Sequence, residues 1–195
     1  MTRIIAGRAG GRSIATPRGS GTRPTTDRVR EAVFSRLQAL IDLEGARVLD
    51  LYAGSGALGL EAVSRGAAHL LAVEKHRATA ALVERNARDL GLADRVRVRA
   101  ASVTTVLREG PAGEDDRYHV VLLDPPYPLS EPDVAEVLGL LVTQGWLDPE
   151  AVLVVERSSR SPEPTWPSGL AHLGSRTYGE TAVHVAEVSP PHTGS

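Results

Sequence analysis

Cysteine is absent from all 195 residues. That absence excludes disulfide staples, thiolate zinc sites and a cysteine nucleophile. The six histidines are scattered, with no pair at metal-ligand spacing, so the sequence predicts a protein without a metal. Lysine is almost missing too, because Lys75 is the only one. Positive charge is therefore carried by arginine, whose planar fork suits phosphate and stacks on bases. No apolar run approaches the roughly 20 residues needed to cross a bilayer. The opening Met1-Thr2-Arg3-Ile4-Ile5-Ala6-Gly7-Arg8 lacks the long apolar stretch of a secretory signal. A cytoplasmic, monomeric protein with no membrane contact is expected. Hydrophobic residues make up 42% and charged residues 24%, the balance of an ordinary globular chain with a proper core.

The net charge of −2 hides an asymmetry. Residues 1–36 carry eight arginines (Arg3, Arg8, Arg12, Arg18, Arg23, Arg28, Arg30, Arg36) against Asp27 and Glu31, so that segment is +6 and the rest is −8. A basic segment on an acidic body suggests a nucleic-acid contact.

Along the chain, short extended pieces around Arg3–Ala6 and Arg12–Thr16 flank Gly7, Gly10 and Gly11, as in a small hairpin-like arm. Gly19–Pro24 is a turn-rich connector. Helix-start signals follow at Thr25, and Val29, Val33, Leu37, Leu40 and Ile41 recur at helical spacing. Strands are expected at Arg47–Leu51, Leu70–Val73, Val96–Ala100, His119–Leu123 and Val152–Glu156. Helices are expected at Ala57–Arg65, Arg77–Leu90, Thr104–Arg108 and Val134–Val142, the last begun near Glu131 or Pro132. Ser158–Gly169 reads as a surface loop, Ala171–Thr177 and Ala182–Val188 as an antiparallel hairpin, and Ser189–Ser195 as a frayed tail. Alternating strands and helices predict an α/β fold with a mostly parallel, doubly wound sheet. Asp50, Glu74, Ser102 and Asp124 then fall at or just past strand C-termini, on one edge.

Two motifs lie at that edge. The first is Asp50-Leu51-Tyr52-Ala53-Gly54-Ser55-Gly56-Ala57-Leu58-Gly59, which contains G-x-G-x-x-G and is followed by the acid Glu74. Taken alone it leaves a nicotinamide or flavin dinucleotide fold open. Asp50, however, is better placed for a cationic amino group than for a pyrophosphate. S-adenosylmethionine, with a sulfonium and an amino acid tail, suits an acid-lined glycine loop. Tyr52, Ala53, Gly54, Ser55 and Gly56 would line the cofactor, Glu74 (beside Lys75) would accept from both ribose hydroxyls, and Ser102 or the backbone around Val103 would meet the adenine edge. Ser102 reads equally well as a helix cap. The second motif is Asp124-Pro125-Pro126-Tyr127, where two prolines stop a buried strand. Asp124 can accept one amino hydrogen and the Pro125 carbonyl, stiffened by Pro126, the other. Tyr127 can stack on the base, a contact worth roughly 1–3 kcal/mol.

These two motifs resemble the cofactor loop and catalytic motif of class I amino-methyltransferases. Arg3-Ile4-Ile5-Ala6-Gly7, Arg23-Pro24-Thr25-Thr26-Asp27-Arg28-Val29-Arg30-Glu31 and Tyr178-Gly179-Glu180-Thr181 more closely resemble the RsmD family of bacterial 16S ribosomal RNA guanine-N2 methyltransferases. The resemblance runs from about Arg3 to Val188. It implies a Rossmann-like fold with a seven-stranded, mostly parallel sheet, a C-terminal antiparallel hairpin and a small N-terminal arm. The expected division is an arm over 1–24, a methyltransferase domain over 25–188 and a tail over 189–195. The implied cofactor is S-adenosylmethionine, and the implied partner is 16S rRNA or the small ribosomal subunit. Arg3, Arg8, Arg12, Arg23, Thr25, Thr26, Arg28 and Arg30 would hold RNA. One departure is Ser102, where related enzymes commonly have Asp or Asn. Adenine-N6 methylation of nucleic acid, glutamine methylation of a protein, a catalytically silent RNA-binding assembly factor and a nicotinamide-dependent dehydrogenase stand as alternatives.

Overall fold

The structure, a computed structural model, describes residues 2–18, 27–126 and 128–189. Its centre is a seven-stranded sheet in the order β5-β4-β3-β6-β7-β9-β8. The strands are β3 (Arg47–Leu51), β4 (His69–Val73), β5 (Val96–Arg99), β6 (Tyr118–Leu123), β7 (Leu147–Ser158), β8 (Leu170–Tyr178) and β9 (Thr181–Val188). β3 to β7 run parallel, while β7, β9 and β8 pair antiparallel. A two-stranded ribbon, β1 (Thr2–Arg3) with β2 (Ser13–Ile14), forms the N-terminal arm. This is the expected architecture, with shorter arm strands.

Helices cover both faces, as an all-buried parallel sheet requires. They are α1 (Asp27–Leu40), α2 (Ala57–Ser64), α3 (Arg77–Asp89), α4 (Val103–Glu109) and α5 (Glu131–Thr143). One face packs α1, α2 and α3 against Val48, Val120, Val154 and Val185. The other packs α4 and α5 against Leu49, Val121, Leu153 and Val155. Alternate strand residues thus point to opposite layers, the period-2 signature of a pleated strand. Ile4, Ala9 and Ile14 of the arm are buried in the first layer, so the arm shares its core.

Two expectations change. β7 begins at Leu147 and not at Val152, because Leu147 pairs with Tyr118 ahead of a register shift, and Val152 resumes opposite Val120. Pro149, which has no N–H to donate, sits within that irregularity. Residues 159–169 are also less of a surface loop than expected: Pro164 is buried and Trp166 packs on the α4/α5 layer, stacked on His172 at 5.2 Å. No helix among the described residues is long and apolar enough to cross a membrane.

Candidate functional site

The strand order reverses between β3 and β6, the place where doubly wound sheets form a ligand crevice. Leu51 is paired with both Val73 and Leu123, and Leu123 with Val155. The residues that follow, Tyr52, Glu74, Asp124 and Glu156, are therefore neighbours along one edge. The expected clustering at Asp50, Glu74 and Asp124 is present.

The glycine loop makes a tight turn between β3 and α2. Gly54 (φ 58°) and Gly56 (φ 83°) adopt left-handed backbone that side chains resist. Tyr52 does the same without being glycine (φ 62°), a conformation that persists only when its surroundings enforce it. Gly59 serves close packing: an added Cβ would lie 2.7 Å from Leu70 and 2.8 Å from Asp50 Oδ2. The loop is pinned by its main chain. Ala53 N donates to Val73 O at 3.0 Å, and Gly54 N donates to Glu74 Oε2 at 3.1 Å.

Glu74 is buried, and its other oxygen accepts from His76 N at 3.0 Å. Each carboxylate oxygen so engaged keeps a second lone pair for a hydroxyl donor. Lys75 next to it is exposed. Asp50 turns inward, contrary to the reading that it faces the crevice. It is 2% exposed, and its Oδ2 accepts from Gly59 N at 3.0 Å, bracing the start of α2. Burial, reinforced by the charges of Asp124 and Glu74 and opposed by the Gly59 bond, pushes its carboxyl up to about 7. Burial, with the charge of Asp133 behind it, likewise raises the Tyr52 hydroxyl to about 12, so it stays protonated.

Asp124 is half-buried, Pro125 buried and Pro126 exposed. Pro126 O accepts from Leu129 N at 3.0 Å, and Arg157 Nη2 donates to Leu129 O at 3.0 Å. Arg157 also pairs with Glu131. α5 then starts with a capping box between Ser130 and Asp133. The segment after Asp124 is thus tied to β7 and to α5. Tyr127 lies outside the described residues, as do Arg23, Thr25 and Thr26. Ser102 caps α4: its hydroxyl accepts from Thr105 N at 3.2 Å and meets the Thr105 hydroxyl at 2.7 Å. Val103 behind it is buried.

The arginines divide. Arg3, Arg8, Arg12 and Arg28 are exposed. Arg3 pairs with Asp27 at 3.4 Å, and Arg12 donates to Leu90 O at 3.0 Å and to Asp89 O, the end of α3. Arg30 does not belong with them. Its side chain is 3% exposed, hydrogen-bonds to Arg3 O and Asp27 and faces Glu61 in an ion pair, so it holds the arm and is turned away from any phosphate.

Sequence reasoning passed over Glu61, Asn86 and Arg157. Glu61 is fully buried and gathers the Ile5 and Ala6 N–H groups at 2.8 and 3.0 Å, Arg65 Nε at 2.8 Å and Arg30 Nε at 3.6 Å. An acid inside the apolar run Leu58–Val63 was its available signal, since buried acids are rare unless paired. Asn86 carried a similar signal, an amide on the same helical face as Val83 and Leu90.

A family model described as Conserved hypothetical protein 95 matches residues 2–187. Ribosomal RNA small subunit methyltransferase D of Escherichia coli (strain K12) is 35% identical over 180 residues, 92% of this chain and 86% of that protein. The protein of that name from Haemophilus influenzae is 34% identical, over 91% of this chain and 89% of its own. Among solved structures, yhhF from Escherichia coli superposes with a TM-score of 0.83 at 33% identity, covering 95% of this chain and 97% of its own. A Salinibacter ruber RNA methyltransferase in complex with S-adenosyl-L-homocysteine shares the fold alone, at 18% identity and a TM-score of 0.59 over 83% of this chain and 95% of its own. The chain belongs to the Conserved hypothetical protein 95 family, together with the ribosomal RNA small subunit methyltransferases D.

Proposed function

We propose that the protein transfers a methyl group from S-adenosylmethionine to the exocyclic N2 of a guanine in 16S rRNA of the small ribosomal subunit. The observation that carries this reading is the adjacency of Asp124-Pro125-Pro126 to the glycine loop and Glu74 across β3 and β6, in a chain whose relatives include ribosomal RNA small subunit methyltransferases D. The residues fit the cofactor. Glu74 holds Gly54 and retains acceptor capacity toward a ribose, and the left-handed glycines let a ligand approach the loop's backbone.

The cofactor supplies a methyl group on a positively charged sulfur. Asp124 accepts one amino hydrogen of the flipped base, and the Pro125 carbonyl accepts the other. Together they aim the nitrogen lone pair and stabilise the positive charge that develops on it. Tyr127 stacks on the base. Asp50 braces α2 from within and reaches the cofactor's amino group through an intervening water. Arg8 and Arg28 engage phosphates, as do Arg3 and Arg12 at the ends of their protein contacts. An unpaired guanine costs less to flip than a stacked, paired one, which favours a loop nucleotide.

The test is methyl transfer to small subunits lacking the modification, with nucleoside digestion and mass spectrometry of the product. N2-methylguanosine is expected, and methylation of adenine N6 would replace this reading with its nearest alternative. Asp124→Ala should abolish transfer while leaving RNA binding intact. Undiminished transfer by that variant would refute the assigned chemistry.

A further inference from the structure

Asn86, on α3, is 1% exposed, although its side chain is polar and no chemistry above uses it. Its amide joins three segments far apart in sequence. Oδ1 accepts from Ala15 N at 3.0 Å, and Nδ2 donates to Ala15 O at 2.9 Å and to Ser55 O at 2.9 Å. Toward Ala15 the amide behaves like a neighbouring strand, satisfying both main-chain groups of one arm residue. Toward Ser55 it holds the carbonyl of the glycine loop. Both Nδ2 hydrogens are used, so one side chain fixes the arm and the loop simultaneously.

The opposite side of that loop is held by Glu74 at Gly54 and by Val73 at Ala53. Ser55 is therefore pinned from the α3 side, where an added Cβ on Gly56 would come within 2.9 Å of Val83. The arm reaching Asn86 is itself docked without slack. Ala9 N donates to Ser64 Oγ at 2.9 Å, the Ser64 hydroxyl donates to Ala6 O at 2.6 Å, and Gly7 (φ 81°) lies so close that a Cβ would be 1.9 Å from Ser64 O.

We propose that Asn86 is a positioning residue that makes the docked N-terminal arm part of the cofactor site. Arm docking sets the Asn86 amide, the amide sets the Ser55 carbonyl, and the loop is presented to the cofactor in its binding conformation. The consequence for ligands rests on the cofactor reading above. RNA that holds the arm down tightens the cofactor, and by linkage the cofactor favours the docked arm to the same degree.

Hydrogen exchange on the full chain without ligand tests the coupling itself. The Ala53, Gly54 and Gly56 amides are all bonded in this structure and serve as probes. Losing the Asn86 amide leaves the Ala15 and Ser55 main-chain groups without their buried partner, so Asn86→Ala should speed exchange at these probes about tenfold or more. Asn86→Asp, close to isosteric, keeps the acceptor toward Ala15, loses both donors and should act alike if the alanine variant fails to fold. Gly7→Ala, which undocks the arm, should speed the same amides. Because both changes act through one amide, the double variant should be no faster than the worse single. Unchanged loop exchange in the Asn86 variants, unchanged exchange in Gly7→Ala, multiplying effects in the double variant, or equal acceleration at Val183–Ala186 in β9 would each overturn the proposal. Titration with S-adenosylhomocysteine, whose Kd should rise about tenfold in the single variants, reads the functional consequence. A wild-type chain that binds none of it, yet shows the expected exchange, would take down the cofactor reading and leave the coupling standing.

Discussion

Asp50→Asn should make this protein more stable at alkaline pH, although it removes a hydrogen-bonded carboxylate from the heart of the site. The Asp50 carboxyl titrates at about 7 in the folded chain against 3.8 for an ordinary aspartate, mainly because burial penalises its charge. The folded state therefore holds this proton more tightly than the unfolded chain does. The resulting stability is complete below pH 3.8 and is lost as pH rises through about 7. Three units at about 1.4 kcal/mol each give an ionisation cost on the order of 4 kcal/mol at pH 8. Asparagine sheds that cost and still offers Gly59 N an acceptor, and the bond from Gly59 to the charged carboxylate already opposes the shift, so it needs no separate deduction. A gain of about 4 kcal/mol at pH 8 corresponds to a rise in Tm of roughly 8–16 °C for a chain of this size. At pH 4 most of the penalty is absent, and the two proteins should melt within about 2 °C of each other. Scanning calorimetry of both proteins at the two pH values is the assay. A variant melting at or below wild type at pH 8, or a gap that does not change with pH, would refute the argument that burial governs this carboxyl.

Two further predictions concern residues that hold main chain in place. Glu61→Gln strips the charge that faces Arg30 and Arg65 inside the protein and should cost about 3 kcal/mol in urea unfolding, with faster exchange at Ile5 and Ala6. Arg157→Met should lower kcat about tenfold and leave the cofactor KM unchanged, because the lost bonds to Leu129 and Glu131 fix the segment after Asp124 and leave the glycine loop untouched. Steady-state kinetics at saturating RNA would separate the two constants.

How much of this was legible depends on what each residue had to reveal. β3, β6 and α3 declare themselves because burial imposes a period on them, runs of branched aliphatics in the strands and a repeating apolar face in the helix. The full length of β7 was hidden because Asp148-Pro149-Glu150 reads as a break, whereas a register shift lets the ladder resume beyond it. Arg30 departs from the charge-based expectation for a different reason. Charge composition counts a guanidinium without saying which way it points, yet Val33, Phe34 and Leu37 lie three, four and seven residues further along α1 and are all buried. That spacing places Arg30 on the inner stripe, and the periodicity held the better information. Asp50 shows the same limit at a strand end: the motif located the acid correctly, but the side chain's direction depended on Gly59, nine residues away.

The side chains that shape this site mostly grip backbone. Glu74 holds Gly54 N, Asp50 holds Gly59 N, Asn86 holds Ser55 O and Arg157 holds Leu129 O. A loop positioned through its main chain keeps its form largely independently of the side chains it carries, whereas losing one buried partner leaves a peptide group unsatisfied and the loop free to move. The partners are themselves placed by regular elements, Asp50 and Arg157 within β3 and β7, Asn86 on α3, and Glu74 one residue beyond β4. Precision at the strand ends is thus borrowed from the sheet and helices, where packing allows only one arrangement. The same logic explains why a basic arm of so few residues can matter to a site it does not line. Its Ala15 rests on Asn86, one of the four groups just named, so its docking reaches the glycine loop through a single rigid amide.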